Sequence, residues 1–219
     1  VYASQFLSDD EAQDTLLANL TGQTITEPRQ LRFKTGRRKK AWHKNCIAIG
    51  LSSGFLEPLE STSIHLVTTA ILRLMKLFLF GGNTTMLAEQ FNRETQLELE
   101  TVRDFVILHY HQTQRNDSAF WDHYRSMEVP DSLVHRMAMF RENGYACPDD
   151  VGLFRVDSWV LVMLRHGLMP KQHHGAGRVL PADGLKQQMM TLRNMIDNSV
   201  SQMPAHGDFI QSYCPAQDL

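Results

Sequence analysis

The stretch NCIAIGLSSGFLEPLESTSIHL, residues 45–66, decides how this chain is read. Cys46 to Leu51 is a short continuous apolar run, the pattern of a strand buried on both faces of a sheet. Ser52, Ser53 and Gly54 follow, small enough to let a ligand approach the backbone, and Pro58 then stiffens the loop. After Ser61 a helical pattern begins. Buried strand, glycine-bearing loop and helix start is the order that presents free N–H groups to a ligand at the carboxyl edge of a sheet. The N–H groups of Thr62 and Ser63, in the first turn, can hold an anion. Glu60 admits two readings on these grounds: an acid complementing the positive end of the helix dipole, or an acid held at a ligand site.

Working outward, Ser8 followed by Glu11 is a capping box, with Leu16, Leu17 and Leu20 as the apolar face of a helix and Gly22 as its stop. RQLRFKTG (29–36) alternates like a strand. Two strand-like runs after a helix suggest the edge of an α/β domain whose other strands lie elsewhere. From Ser61 the pattern is helical, with Ile64, Val67, Ile71, Leu74, Met75 and Phe78 on one face and His65, Thr69, Arg73 and Lys76 opposite. Further helices are predicted at Arg93–Tyr110, at Asp131–Asn143 capped by Gly144, at Ser158–His166 closed by Gly167 and Pro170, and at Asp183–Met203. HHGAGRVLPADG (173–184) reads as a surface loop rather than a domain boundary.

The 219 residues are 42% hydrophobic and 21% charged, ordinary globular material. A formal charge of −2 gives no reason to expect nucleic acid, and GRRKK (36–40) reads as a solvated surface, with contact to an anionic ligand as the alternative. Cys46, Cys147 and Cys214 have neither metal nor disulfide spacing, which suits a reducing, cytoplasmic setting; Cys46 is expected to be a buried strand residue. The opening VYASQFLSDDEAQ has no signal-peptide pattern and reads as the interior of a longer protein. The most apolar segment, 64–80, is broken by His65, Arg73 and Lys76 and falls short of the roughly 20 clean residues of a membrane span. His109 and His111 do not share a helix face, and His173 and His174 lack acidic or cysteine neighbours, so no metal is expected. Phe120, Trp121 and Tyr124 read as core, while Phe154 and Trp159 stay open between core and site. Met137, Met139, Met189, Met190 and Met195 read as gap-filling core, with an adaptable surface as the alternative.

GFLEPLEST (54–62), inside the opening stretch, resembles the signature of the flavin-dependent enzymes known as tryptophan halogenases. SDDEA, PRQLRFKTGRRKKAWHKNC, QRNDSAFW, VPDSL, DSW and MPAHGDFI are similar to segments that members carry in the same order. The resemblance implies an α/β FAD-binding monooxygenase-like fold of which this chain is the mainly α-helical C-terminal part, with a few strands completing the flavin domain. Residues 1–66 would then belong to the flavin core and 67–219 to a helical substrate-side region. It implies FADH2 as cofactor, supplied by a separate flavin reductase, chloride or bromide as halide, and an electron-rich aromatic substrate such as tryptophan or an indole. In that chemistry a flavin hydroperoxide meets halide, and the hypohalous acid formed passes to a lysine beside the substrate. Glu60 matches the essential glutamate, and Ser61 lies between the flavin and substrate compartments. Thr62 and Ser63 match the pair whose amides bind halide, although tryptophan-specific members often have glycine at the position of Ser63. Gly50, Leu51 and Ile64 fall where the family lines the flavin. No nucleic acid, membrane or metal is implied, and a homodimer is allowed.

The family's G-x-G-x-x-G, W-x-W-x-I-P and catalytic lysine are absent from this sequence; they belong to an N-terminal half, so the chain by itself is expected to be inactive. Tryptophan-specific members clamp the amino acid with tyrosines and an acidic patch, whereas none of the five tyrosines here adjoins another. That favours free indoles or other aromatics. Two rival readings are a flavin hydroxylase of the same fold, which needs no halide site, and a non-catalytic helical partner domain.

Overall fold

The computed structural model describes residues 1–58, 61–78, 83–147, 152–173, 175–179 and 181–215, with the backbone alone at 176 and 178. They form two compact units, Val1–Gln172 and His173–Leu219.

Helix α1 (Asp9–Ala18) rests on the expected capping box: the Glu11 N–H donates to Ser8 Oγ at 3.3 Å, and the Ser8 N–H donates to Glu11 Oε2 at 2.9 Å. It ends at Asn19, ahead of Gly22, and its leucines stay exposed. The expected strands form differently. RQLRFKTG contributes only Gly36 to β1 (Gly36–Arg37), and the apolar run contributes only β3 (Cys46–Ile47), which pairs antiparallel with β2 (Trp42–His43). Cys46 is exposed instead of buried. The run cannot stay extended because Gly50 turns it at φ 66° into a 3-10 turn, Gly50–Ser52, in which the Ser52 hydroxyl donates to the Ile49 carbonyl at 2.8 Å. The chain then returns as β4 (Gly54–Phe55), antiparallel to β1. A side chain at position 54 would meet the Gly36 carbonyl oxygen at 2.8 Å, which requires glycine there.

The short hairpin of β2 and β3 is locked from the side. Trp42 is 3% exposed; its backbone N–H donates to Asn92 Oδ1 at 2.8 Å, and Asn92 Nδ2 donates back to the Trp42 carbonyl at 2.8 Å. Replacing Asn92 by Ala strips two partly buried backbone groups of their partner, and the expected cost is about 2 kcal/mol in urea unfolding with an unchanged slope.

Asn92 belongs to α3 (Thr85–His111), which begins earlier than the predicted Arg93 and forms the spine of the first unit. Helices α2 (Ser63–Leu77), α4 (Ala119–Ser126), α5 (Asp131–Asn143) and α6 (Val156–Arg165) pack against it. α5 has the predicted bounds, and Gly144 caps it at φ 66°. The larger core joins Val102, Phe105 and Leu108 to Leu133, Met137, Phe140, Trp159 and Met163. Phe154 and Trp159 are core: Phe154 stacks on Phe105 at 3.7 Å and Trp159 meets the same ring edge-on at 4.9 Å. Phe120, Trp121 and Tyr124, expected in the core, instead gather half-buried around Tyr110.

Helix α2 follows its apolar pattern only in part: Leu74 packs on the smaller core, Val67 lies half-buried and Phe78 stacks on Trp42 at 6.5 Å. Ile64, Ile71 and Met75 are exposed, while Thr62, Ala70 and Arg73 face inward. The hold on Arg73 is ionic. Arg73 donates to Glu94 at 3.1 Å, to the Thr95 hydroxyl at 3.0 Å and to Glu98 at 2.9 Å, three groups along one stripe of α3.

In the second unit, the stretch read as a surface loop begins at the unit boundary and carries a 3-10 turn, Gly175–Arg178. It leads into α7 (Ala182–Ser201) and α8 (His206–Tyr213), where Phe209 stacks on Tyr213 at 4.7 Å. Met137 is buried as predicted, whereas Met189, Met190 and Met195 are exposed.

Candidate functional site

A cavity of about 140 Å³ lies between the Gly50–Ser52 turn, β4, the start of α2 and the middle of α3. Its lining is mainly apolar side chains, with the small residues of the 45–66 stretch on one wall and Thr95, Glu98 and Leu99 on another. Gly50, Leu51, Thr62, Ser63 and Ile64 all line it. Gly50 combines its positive φ with a tight approach: a side chain there would come to 3.1 Å from Val67 Cγ2.

Thr62 is 3% exposed and stands immediately before α2. It makes no side-chain capping bond to the helix, and the first intrahelical bond runs from the Leu66 N–H to the Thr62 carbonyl at 3.0 Å. The first-turn N–H groups therefore lack acceptors within the helix, and the positive end of its dipole meets the cavity wall. Ser61 is exposed, does not line the cavity, and adopts a left-handed φ of 51°, unusual for a residue other than glycine. Its N–H donates to the Pro58 carbonyl at 3.2 Å. Glu60 lies outside the described residues.

One contribution escaped the sequence reading. Thr95, Glu98 and Leu99, at i, i+3 and i+4 on α3, present one helical stripe to the cavity, and Glu98 is anchored by Arg73 and stands 3.5 Å from His65 Nε2. The spacing was visible, but nothing in it announced which helix face meets the loop. Glu57, which does not line the cavity, accepts through its carboxylate from the Tyr110 hydroxyl at 3.0 Å across 53 positions of sequence. Burial, and then the Glu57 carboxylate, hold that hydroxyl well above the usual phenol range, so it stays a donor.

His109 and His111 go to separate backbone partners, donating from Nδ1 to the Phe105 carbonyl at 2.9 Å and to the Tyr124 carbonyl at 3.3 Å. Burial and the nearby His109 lower the pKa of His166, whose ring lies 6.0 Å from that of His109. Among the described residues no three His, Cys, Asp or Glu side chains converge as a metal site would require. None of the described helices is long and apolar enough to cross a membrane.

Comparison with known proteins gives a consistent answer. A sequence model of the tryptophan halogenase family matches residues 1–182. The chain is similar to Xcc4156, a flavin-dependent halogenase from Xanthomonas campestris, with 41% identity and a TM-score of 0.93 over 100% of this chain and 44% of that one. It is also similar to BrvH, a flavin-dependent halogenase from Brevundimonas sp. BAL3, with 40% identity and a TM-score of 0.87 over 97% of this chain and 43% of that one. Among curated proteins, tryptophan 6-halogenase SttH of Streptomyces toxytricini is 36% identical over 155 residues, 70% of this chain and 29% of SttH. The chain thus spans less than half the length of these relatives. Its architecture, mostly helical with few short strands, is that of the corresponding part of flavin-dependent halogenases. The chain belongs to the tryptophan halogenase family.

Proposed function

We propose that this chain supplies the halide-handling wall of an FADH2-dependent halogenase, working within a protein of the family's full length. The observation that carries the reading is the meeting of Gly50, Leu51, Thr62, Ser63 and Ile64 on one cavity. A flavin ring suits such a wall: the residues are small or apolar, Gly50 lets the backbone approach, and Thr62 offers a polar group shielded from water. Gly50, Leu51 and Ile64 would contact the flavin. When bound, reduced FAD supplies the oxidising equivalents, drawn from oxygen, that convert halide into a halogenating species.

This chain's residues do the rest of the work assigned here. The first-turn amides of Thr62 and Ser63, aided by the helix dipole, hold chloride or bromide in a partly dry setting where such contacts are strong. Glu60 orients or polarises the halogenating species, or takes the proton lost from the aromatic ring. Ser61 separates the flavin side from the substrate side. A separate flavin reductase supplies FADH2, the setting is cytoplasmic, and the partner is an aromatic small molecule.

Among aromatics, free indoles are preferred to tryptophan. The fold does bring one tyrosine pair together, Tyr110 and Tyr124 with ring centroids 5.5 Å apart, but the Tyr110 hydroxyl is directed to Glu57 and the rings are packed with Phe120 and Trp121. That geometry serves packing better than it serves clamping an amino acid. The test is a rate comparison in the family-length protein with FADH2 regenerated and bromide present. Halogenated indole forming faster than halogenated tryptophan is the expected result; the reverse order refutes the preference, and products free of halogen with both refute the function.

A further inference from the structure

We infer that Glu98 determines which anions the cavity admits: paired with Arg73, its carboxylate keeps the α3 wall electrically neutral and so disfavours a dianion more than a halide. The inference rests on the reading of Thr62 and Ser63 as halide ligands and deepens it. Among the described residues that line the cavity, Glu98 is the one ionisable side chain; the others are apolar residues, glycine, serine and threonine. Its side chain is 9% exposed, so water screens its charge weakly. A fixed negative charge on the wall of an anion site acts on every ion that enters.

The counter-charge is held from elsewhere. Arg73 Nη2 donates to Glu98 at 2.9 Å, while Nε donates to Glu94 at 3.1 Å and Nη1 to the Thr95 hydroxyl at 3.0 Å. Arg73 does not itself line the cavity, and two of its three partners remain if Glu98 loses its charge. The guanidinium would then stay in place with its charge uncancelled. His65 faces the same carboxylate from α2, with Nε2 at 3.5 Å. The first-turn amides and the helix dipole attract a dianion twice as strongly as a monoanion, but desolvating the dianion costs about four times as much at equal size. Lowering the attraction therefore excludes the dianion first, and the Glu98 carboxylate lowers it.

Glu98→Gln keeps the shape and an acceptor for Arg73 and removes the charge. In the family-length protein carrying it, the KM for bromide should fall roughly tenfold, the scale of a unit charge about 10 Å away at an effective dielectric of about 20, with kcat at saturating bromide nearly unchanged. Inhibition by sulfate in competition with bromide should strengthen roughly a hundredfold, the square of the bromide factor. Glu94→Gln takes an equal charge from the same arginine at an exposed position outside the cavity, and should leave both constants where they were. Arg73→Met combined with Glu98→Gln removes both charges and should return the bromide KM to near the unsubstituted value. Repeating the comparison with His65→Asn throughout removes any contribution of an imidazolium and should preserve the order.

Crystals soaked across a bromide series, with and without sulfate, give a readout independent of turnover, because the anomalous peak at the Thr62 and Ser63 amides reports occupancy. Half-occupancy at lower bromide in Glu98→Gln, and easier displacement by sulfate, are expected. Unchanged or weaker bromide binding in Glu98→Gln would overturn the inference, as would a common factor for bromide and sulfate, or an equal shift in Glu94→Gln. If the unsubstituted protein gives no halogenated product, the functional reading fails, while the occupancy series still decides whether Glu98 governs anion entry. Bromide ordered only elsewhere in every variant overturns both. Should Glu98→Gln fail to fold, Glu98→Met, which also removes the charge and keeps an unbranched stem, carries the same expectation and the same refutation.

Discussion

With Glu60 replaced by Gln, halogenated product should fall by roughly 10²-fold or more while reduced flavin continues to be consumed. The substitution keeps the shape and the hydrogen-bonding capacity of the side chain and removes its charge. An acid that merely complements the α2 dipole would contribute on the order of 0.3–1 kcal/mol to stability, and its loss would leave turnover intact. An acid that polarises the halogenating species or accepts the ring proton acts only in the transition state, so its loss lowers kcat. Flavin consumption is spared because Gly50, Leu51 and the Thr62–Ser63 amides are unchanged. Measuring product and flavin oxidation in the same reaction separates the two readings: unchanged product returns Glu60 to the helix dipole.

The largest stability effect is expected at Arg73. Its side chain is 12% exposed, that of Glu98 is 9% exposed, and three hydrogen bonds join Arg73 to α3. Arg73→Met keeps an unbranched apolar stem but removes the guanidinium, which lies 5.8 Å over the Phe91 ring, and leaves the Glu98 carboxylate buried beside a half-buried His65. Breaking a buried pair from one side costs about 3–5 kcal/mol. Glu94, at 42% exposure, adds little because water screens it. The double substitution Arg73→Met with Glu98→Gln should recover a large part of the loss in urea unfolding, since it removes the stranded charge. Equal losses in the single and double variants would show that packing, and not the buried charge, sets the cost.

Arg73 also shows where a reading of the sequence runs out. The period that placed Ile64, Ile71 and Met75 with Val67 and Leu74 on one face of α2 holds in part, since Leu74 packs on the smaller core and Val67 lines the cavity, but it did not foresee that Arg73 also turns inward, to acceptors at Glu94, Thr95 and Glu98. That match depends on two helices being side by side, which neither helix announces. Local signals carried further. Ser8 with Glu11, and Gly144 after Asn143, fixed ends of α1 and α5 because capping involves residues only a few positions apart. α4, with eight residues, was too short for its period to stand out.

The strands failed for a local reason that the sequence did contain. Gly50 adopts a left-handed φ within the apolar run and ends it, so the expected buried strand shrinks to Cys46–Ile47. The first aromatic group missed the core and the second, left open by the sequence, entered it, because burial follows from what α3 packs against: Phe105 takes Phe154 and Trp159 into the core, while Tyr110, more than one turn later, carries Trp121 and Tyr124 half-buried. The candidate site was legible to the extent that it is local. Gly50, Leu51, Thr62, Ser63 and Ile64 belong to one stretch, whereas Thr95, Glu98 and Leu99 reach it only through the fold.

The central claim is that the first turn of α2 holds halide against the cavity wall, and bromide crystallography tests it most directly. Crystals of the family-length protein soaked in bromide and measured at the bromine absorption edge should show an anomalous peak within hydrogen-bonding distance of the Thr62 and Ser63 amides. A protein that brominates its substrate yet shows ordered bromide only elsewhere, with that turn empty, would contradict the account.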